Sequence, residues 1–350
     1  MTLEQLRAKV REWDRQHTGD PIASAHYEQL LNQLQYHAER EWRVYLPAEH
    51  PDFNPNYMER LARWIGNLSD ESDQKLLLEY ALYISFFSHD DFAAMYRTAF
   101  DREIMPWVAR KIGADLSLGA KQFHERVTYQ IHKKTWFCPI TDSMDINEFY
   151  KVNHLQGVGH RPHFSTLQYL AESAGNKNPG IAENISYYMA NPRAESPPPP
   201  SLDLIVLLED IVGSGSQSID AVRWAAETLG KPVLFIPLII CPRGVEALRA
   251  EEVRLGGRLT LRPVIELRRG DLLGPERKGA EGWGIAAELE CLANCCSTDV
   301  KFNYNPFGYR DTGSSLVTYS NTPDNTLPIV HDVGRFNNWS PLFPRVYRDS

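Results

Sequence analysis

The sequence predicts an α/β fold in which a parallel sheet domain is preceded by an all-helical N-terminal domain. Three observations carry that prediction. Apolar residues recur at helical spacing from Thr2 to about Gly113. After about residue 130 the pattern changes to short apolar, β-branched or aromatic runs separated by helix-like stretches. The chain of 350 residues is also longer than the roughly 250–300 residues at which single cores stop growing. The expected domains are therefore 1–120, helical, and 121–350, α/β.

In the first domain the helical positions are Leu3, Leu6, Val10 and Trp13, then Leu30, Leu31 and Leu34, then Leu61, Trp64, Ile65 and Leu68. Thr2 with Gln5 three residues on forms a capping box. Ser72 is expected to open a strongly apolar helix running from Lys75 to Phe87, and Asp90 and Asp91 sit where another helix begins. In the second domain the expected strands are Thr135–Ile140, Leu204–Leu208, Val233–Ile240, Leu259–Ile265 and Leu316–Tyr319. Helix-like segments lie at Thr166–Ala174, Ser218–Leu229, Val245–Val253 and Gly284–Ala293. That alternation gives a parallel sheet. The four prolines Pro197 to Pro200 read as a stiff surface connection within the domain.

Composition bounds the function. With 43% hydrophobic and 23% charged residues the chain is globular, and its 37 basic against 45 acidic residues, net −8, oppose indiscriminate duplex binding. The acidity lies mostly in residues 1–130, with 15 basic and 20 acidic, whereas residues 131–350 carry 22 and 25. No run of about 18 apolar residues and no signal-like apolar start occur, so a soluble cytoplasmic protein with no membrane attachment is expected. The five cysteines, Cys138, Cys241, Cys291, Cys295 and Cys296, are odd in number and fit a reducing compartment. Buried structural thiols are expected for the 291–296 cluster, because no second ligand pair stands at zinc-site spacing.

The chemistry concentrates in Leu204-Ile205-Val206-Leu207-Leu208-Glu209-Asp210-Ile211-Val212-Gly213-Ser214-Gly215-Ser216-Gln217. A continuous apolar run suits a strand covered on both faces, and its two carboxylates fall at the carboxyl end, where open α/β sheets bind ligands. The glycines at 213 and 215 let the backbone turn tightly, and a following helix adds its N-terminal dipole. Such a turn cradles phosphate beside carboxylates that could hold a ribose diol or Mg²⁺. It is not a Walker A loop, since no lysine follows the glycines. The bland alternative is an ordinary strand-to-helix turn with a solvated acidic pair.

This stretch resembles the phosphoribosyl pyrophosphate (PRPP) loop of the type I phosphoribosyltransferases. By that resemblance Glu209 and Asp210 are the catalytic pair, which binds the ribose hydroxyls and a Mg²⁺ ion. Val212, Gly213, Ser214, Gly215, Ser216 and Gln217 then hold the 5′-phosphate. Two departures stand out: Gly213 occupies the position of the aspartate base of 6-oxopurine transferases, and Gln217 replaces the usual threonine. With Thr141-Asp142-Ser143-Met144-Asp145-Ile146-Asn147-Glu148-Phe149, Phe307-Gly308-Tyr309 and Ser320-Asn321-Thr322-Pro323-Asp324-Asn325, the chain resembles the divergent PRTase-CE domains of bacterial conflict systems over roughly residues 120–345. The resemblance implies an antiphage defence effector that binds PRPP or a nucleotide and transfers or cleaves at ribose C1′. The alternative is a catalytically inactive nucleotide-sensing or scaffold subunit, for example beside a retron reverse transcriptase and its msDNA. Either role implies an oligomer or complex.

Thr141, Asp142 and Ser143 are the candidate pyrophosphate loop, while Asp145 and Glu148 are expected to cap the next helix. Asn321, Thr322, Asp324 and Asn325 suit either base or ribose recognition or a proline-directed turn. Both segments are expected to converge on the sheet edge of Glu209. Between Arg249 and Lys278 eight basic residues face five acidic ones, and Arg268 with Arg269 could grip pyrophosphate, a solvated face being the alternative. His160-Arg161-Pro162-His163 and His331-Asp332 are surface histidines rather than metal ligands in this reading.

Overall fold

The structure is a computed structural model that describes residues 1–16, 25–42, 45, 47, 53–114, 117, 119–155 and 203–346. The expected helix at Thr166–Ala174, the His160–His163 motif and the Pro197–Pro200 spacer lie outside the described residues. Contacts divide the chain into two units, Met1–His89 with Arg268–Ser350, and Asp90–Leu267. The expected boundary at residue 120 falls inside the second unit, at the start of a helix.

In the first unit, helices α1 (Leu3–Gln16), α2 (His26–Arg40), α3 (Tyr57–Ile65) and α4 (Glu71–Tyr80) follow from the apolar spacing. The capping box forms: the Thr2 amide donates to Gln5 Oε1 at 2.8 Å and the Gln5 amide to Thr2 Oγ1 at 3.2 Å. Helix α2 is preceded by Ala25, which has no capping side chain. Buried Asp14 of α1 takes that role instead, accepting from the Tyr27 and Glu28 amides at 2.9 and 3.0 Å. The expected helix to Phe87 stops early. α4 is capped by Asp70, ends at Tyr80, and gives way to strand β1 (Ser85–Phe87). The reason is in the chain: Ile84, Phe86 and Phe87 are β-branched or aromatic, which suits strands.

In the second unit, α5 (His89–Thr98) begins at the acidic pair, and a π-helical turn at Ala99–Ile104 leads into α6 (Met105–Lys111) and then α7 (Ala120–Lys134). Strand β2 (Thr135–Pro139), helix α8 (Ile146–Val152), β3 (Leu204–Val212), α9 (Ser216–Thr228), β4 (Val233–Ile240), α10 (Pro242–Arg254), β5 (Leu259–Leu261) and β6 (Ile265–Glu266) complete it. The sheet is parallel, in the order β2-β3-β4-β5, with β6 also against β4. The expected fifth segment, Leu259–Ile265, is thus two short strands broken at Arg262 to Val264.

Strand alternation splits the core in two. Trp136 and Cys138, Ile205 and Leu207, Val233 and Phe235, and Leu259 and Leu261 share one face, packed with Ala221, Val222, Ala225 and Ala226 of α9 and Leu248 of α10. On the other face, Phe137 lies 5.8 Å from Phe149 of α8, ring centre to ring centre, and Phe149 in turn meets Tyr96 of α5 at 5.9 Å. Burial on both faces explains the unbroken apolar runs of β3 and β4.

Two expectations are corrected in the remainder, which belongs to the first unit. Helix α11 (Ala286–Val300) and strand β7 (Leu316–Thr318) are not part of the α/β sheet. β7 pairs in parallel with β1, Ser85 opposite Leu316 and Phe87 opposite Thr318, and α11 buries Leu289, Leu292 and Ala293 in the same core as α4. A short helix, α12 (Pro328–His331), follows. The buried-thiol expectation also fails in part, because Cys138, Cys241 and Cys296 are buried whereas Cys291 and Cys295 are exposed. Among the described residues no helix is long and apolar enough to cross a membrane.

Candidate functional site

Strand register builds the site. β2 and β3 pair with Pro139 opposite Leu208, and the Ile140 amide donates to the Leu208 carbonyl at 3.0 Å, so the chain leaving β2 passes beside Glu209. β3 and β4 pair with Val212 opposite Ile240, and the Cys241 amide donates to the Val212 carbonyl at 2.9 Å. Three loops, 140–145, 213–215 and 241–242, therefore meet at one carboxyl edge of the sheet.

Glu209 is only 4% exposed. Its carboxylate accepts from the Thr141 amide at 2.9 Å and from Thr141 Oγ1 at 2.6 Å. Thr141 Oγ1 lies 2.7 Å from Ser143 Oγ, which donates to Asp210 Oδ1 at 2.8 Å. Asp210 Oδ1 also accepts from the Ile211 amide at 2.8 Å. The two carboxylates are thus tied to one loop through two hydroxyls. Burial, then the neighbouring Asp210 charge and more weakly Asp142, push the Glu209 carboxyl well above the usual carboxylate range, and the Thr141 hydrogen bonds oppose the shift only partly. Asp210 is half-buried, and Asp142 and Ser143 are exposed. Asp145 caps α8 as expected, accepting from the Glu148 amide at 2.9 Å.

The glycine loop turns where Gly215 adopts φ +80°, a left-handed conformation that suits glycine. Gly215 is the N-cap of α9, with no side-chain cap and no acidic residue in the first turn. The Ser218 amide donates to the Gly215 carbonyl at 3.1 Å, and the amides at the very start of the helix carry its positive pole, so the turn suits an anion. Ser214 Oγ and Ser216 Oγ stand 3.1 Å apart beside it, Val212 and Gly213 are buried, and Gln217 is exposed. Sequence reading missed one contributor. Gly244 of α10 lies so close that a Cβ there would sit 2.7 Å from the Gly213 carbonyl oxygen and 3.0 Å from Val212 Cγ1. The glycine lets α10 press against the loop. The only available signal was a glycine early in a helix, which has many bland readings.

The other candidates lie in the first unit, since β7 is not in this sheet, and the shared edge expected for them is therefore absent. Asn321 accepts from the Thr322 and Val346 amides at 2.9 and 3.1 Å, and donates to the Val346 carbonyl at 3.0 Å. Thr322 is buried and donates to the Phe343 carbonyl at 3.0 Å. Asp324 lies 3.9 Å from Arg345, and Asn325 donates to Thr312 Oγ1 at 3.3 Å. These bonds fix a turn and bind the segment after it.

Six of the eight basic residues between Arg249 and Lys278 are likewise paired. Arg268 meets Asp271 at 3.0 Å and Arg269 meets Glu276 at 3.6 Å. Arg249 meets Glu252, Arg254 meets Glu227 and Glu251, Arg262 meets Glu103, and Arg277 meets Glu290. Hydrogen bonds from Arg223 and Arg254 hold the Glu251 carboxyl down at about 2. His331 is buried rather than on the surface, its Nε2 3.1 Å from the Thr326 carbonyl oxygen.

Whether these residues fit Mg²⁺ can be judged from the donors. Among the described residues no group of three or more His, Cys, Asp or Glu side chains could hold a metal ion. Both Glu209 oxygens already accept from Thr141. The donor set therefore fits only an ion carried on a substrate's phosphates, with Asp210 as a protein ligand, which is how Mg²⁺ is commonly bound.

Comparison with known families finds that the model of the PRTase-CE family matches residues 61–345. The match begins within α3, so it takes in part of the helical region and leaves α1 and α2 outside, an earlier start than the residue 120 expected from the motifs. Comparisons with curated proteins and with solved structures found no match.

Proposed function

Because the chain belongs to the PRTase-CE family, we propose that the edge formed by the 140–145 and 213–215 loops binds PRPP or the ribose 5′-phosphate of a nucleotide together with Mg²⁺, and acts at ribose C1′. The observation that supports this most is the tie between Thr141, Ser143 and the acidic pair. It sets two loops of opposite preference side by side: an uncapped helix start that favours a phosphate, and a carboxylate-hydroxyl cluster that favours a diol or a metal-bound pyrophosphate.

In this reading the amides of Gly213 to Gln217 and the Ser214 and Ser216 hydroxyls hold the 5′-phosphate. Asp210 and Ser143 face the ribose and pyrophosphate. Glu209 acts through Thr141 as a positioning residue, holding its backbone in place rather than ligating metal. Mg²⁺, when bound, neutralises charge on the departing pyrophosphate. Positioning and charge stabilisation supply the rate, with no covalent nucleophile.

A second reading rests on Gly213, where the related 6-oxopurine enzymes carry an aspartate base: the site binds a nucleotide without chemistry and reports its presence. The resemblance of the motifs favours a role in antiphage defence under either reading, the partner being a reverse transcriptase with its msDNA or another defence-system protein. Calorimetric titration with PRPP and Mg²⁺, and separately with a nucleoside monophosphate, tests the proposal alongside an assay of pyrophosphate release. Saturable binding that weakens at least tenfold in Asp210→Asn and in Ser143→Ala supports the site. Pyrophosphate release supports the enzyme, and binding without release the sensor. Binding of neither compound overturns both. Co-purification of a reverse transcriptase or nucleic acid with the chain tests the partner.

A further inference from the structure

The three-cysteine cluster on α11 is not used by the site above and lies in the other unit. Packing of the helix divides the cluster. Leu289, Leu292, Ala293, Cys296 and Val300 are buried, which turns Glu288, Cys291, Cys295 and Asp299 outward at intervals of three, four and four residues. On a helix those intervals make one stripe, with a carboxylate a turn before the thiols and another a turn after. Four residues apart on the exposed stripe, Cys291 and Cys295 are neighbours on the helix surface, and Asp299 with Asp73 of α4 adds negative charge near Cys295.

The spacing excludes one use of such a pair and favours another. Helical i, i+4 neighbours hold their Cβ atoms about 5–6 Å apart, whereas a disulfide needs about 3.5–4.5 Å. An intact α11 therefore resists closing this pair as a disulfide. An ion bridging two thiolates has no such difficulty, because two metal–sulfur bonds of about 2.3 Å each separate the sulfurs by up to about 4.6 Å. A closed tetrahedral zinc site needs four ligands, and among the described residues no group of three or more suitable side chains assembles here. What remains is a soft ion satisfied by two sulfurs.

We propose that Cys291 and Cys295 form a two-sulfur site for a soft, low-coordinate thiophilic ion of the class of monovalent copper or trivalent arsenic. On binding monovalent copper, each S–H bond releases its proton to water and is replaced by a sulfur–copper bond; with an arsenic oxide, two As–S bonds replace the arsenic–oxygen bond and the two thiol protons leave with that oxygen as water, with no change in oxidation state in either case. The acidic neighbours attract the cation, and because binding displaces protons the occupancy rises with pH.

The test uses the full chain, reduced and kept anaerobic, competing with bicinchoninate for monovalent copper, with phenylarsine oxide as a second probe. One equivalent of copper is expected. Its affinity should fall at least tenfold in Cys291→Ser and in Cys295→Ser and stay unchanged in Cys296→Ala. Displacing two protons, it should strengthen by up to about a hundredfold per pH unit while both thiols are protonated. Phenylarsine oxide, which needs both sulfurs, should be retained by wild type and lost in either serine variant. Both positions are exposed, so the variants should melt as wild type does. Failure of wild type to compete for copper, or equal capture by both serine variants and wild type, overturns the proposal.

Discussion

Replacing Glu209 by glutamine isolates the effect of charge at the sheet edge. The amide keeps the shape of the carboxyl group, its oxygen can accept from the Thr141 amide, and its NH₂ can donate to Thr141 Oγ1, so both hydrogen bonds of the wild type survive. Only the ionised form is lost. The folded state holds the Glu209 proton well above the ordinary value of 4.5, chiefly by burial and then by the charge of Asp210. The folded state therefore binds more protons than the unfolded state as pH rises past 4.5, and wild-type stability declines there. Each pH unit in that window costs about 1.4 kcal/mol, until the folded carboxyl itself ionises. Glu209→Gln carries no such cost. Urea denaturation of both proteins from pH 4 to 8 should give nearly equal stabilities at the acid end, with the variant gaining on wild type as pH rises above it and the gain levelling off where the folded carboxyl ionises. A difference that does not change with pH would refute the buried-proton argument, and a variant that loses ground as pH rises would reverse its sign.

Further outcomes follow from local geometry. Gly244→Ala places a methyl 2.7 Å from the Gly213 carbonyl oxygen, with Val212 and Ile240 also close; overpacking should cost about 1–3 kcal/mol in urea melts and weaken phosphate binding. Gly215→Ala must hold φ +80° and should lose about 1–2 kcal/mol by the same assay. Buried His331, held down to about 3 chiefly by desolvation, should stay neutral to pH 5 by NMR. The unfolded chain takes up that proton first, so His331 makes stability fall as pH falls from its unfolded value of 6.5 toward its folded value, by about 1.4 kcal/mol per pH unit. Asp14→Ala removes the cap of α2 and should cost about 1–2 kcal/mol, measured by thermal or urea unfolding.

The legible parts of the chain were those where a single local cause sufficed. The Leu204–Leu208 run of β3 and the whole of β4 announced themselves because burial on both faces leaves no polar positions there. The meeting of Thr141 with Glu209 was legible too, since parallel neighbours put their carboxyl ends on one edge. The β1 and β7 pair was not: three residues carry no usable period, and the partners are separated by more than two hundred residues of chain. Phe86 and Phe87 were absorbed into a helical pattern they happened to continue. Gly244 was hidden because its effect depends on what lies across from it, and the exposure of Cys291 and Cys295 because the facing of α11 is decided by packing on α4. Arg268 and Arg269 looked available for phosphate until Asp271 and Glu276 were found against them.

The first unit is assembled from two stretches, residues 1–89 and 268–350, with the second unit lying between them in the chain. During synthesis the ribosome therefore delivers α1 to α4 and β1 long before their partners α11 and β7. For the whole time that residues 90–267 are being made, the apolar faces of those helices and the β1 edge have no native cover, while the intervening unit can close on itself first. Nascent chains arrested shortly after residue 267 should consequently be the form most dependent on chaperones, and a fragment ending near residue 120 would carry the N-terminal helices without the segment that completes their core.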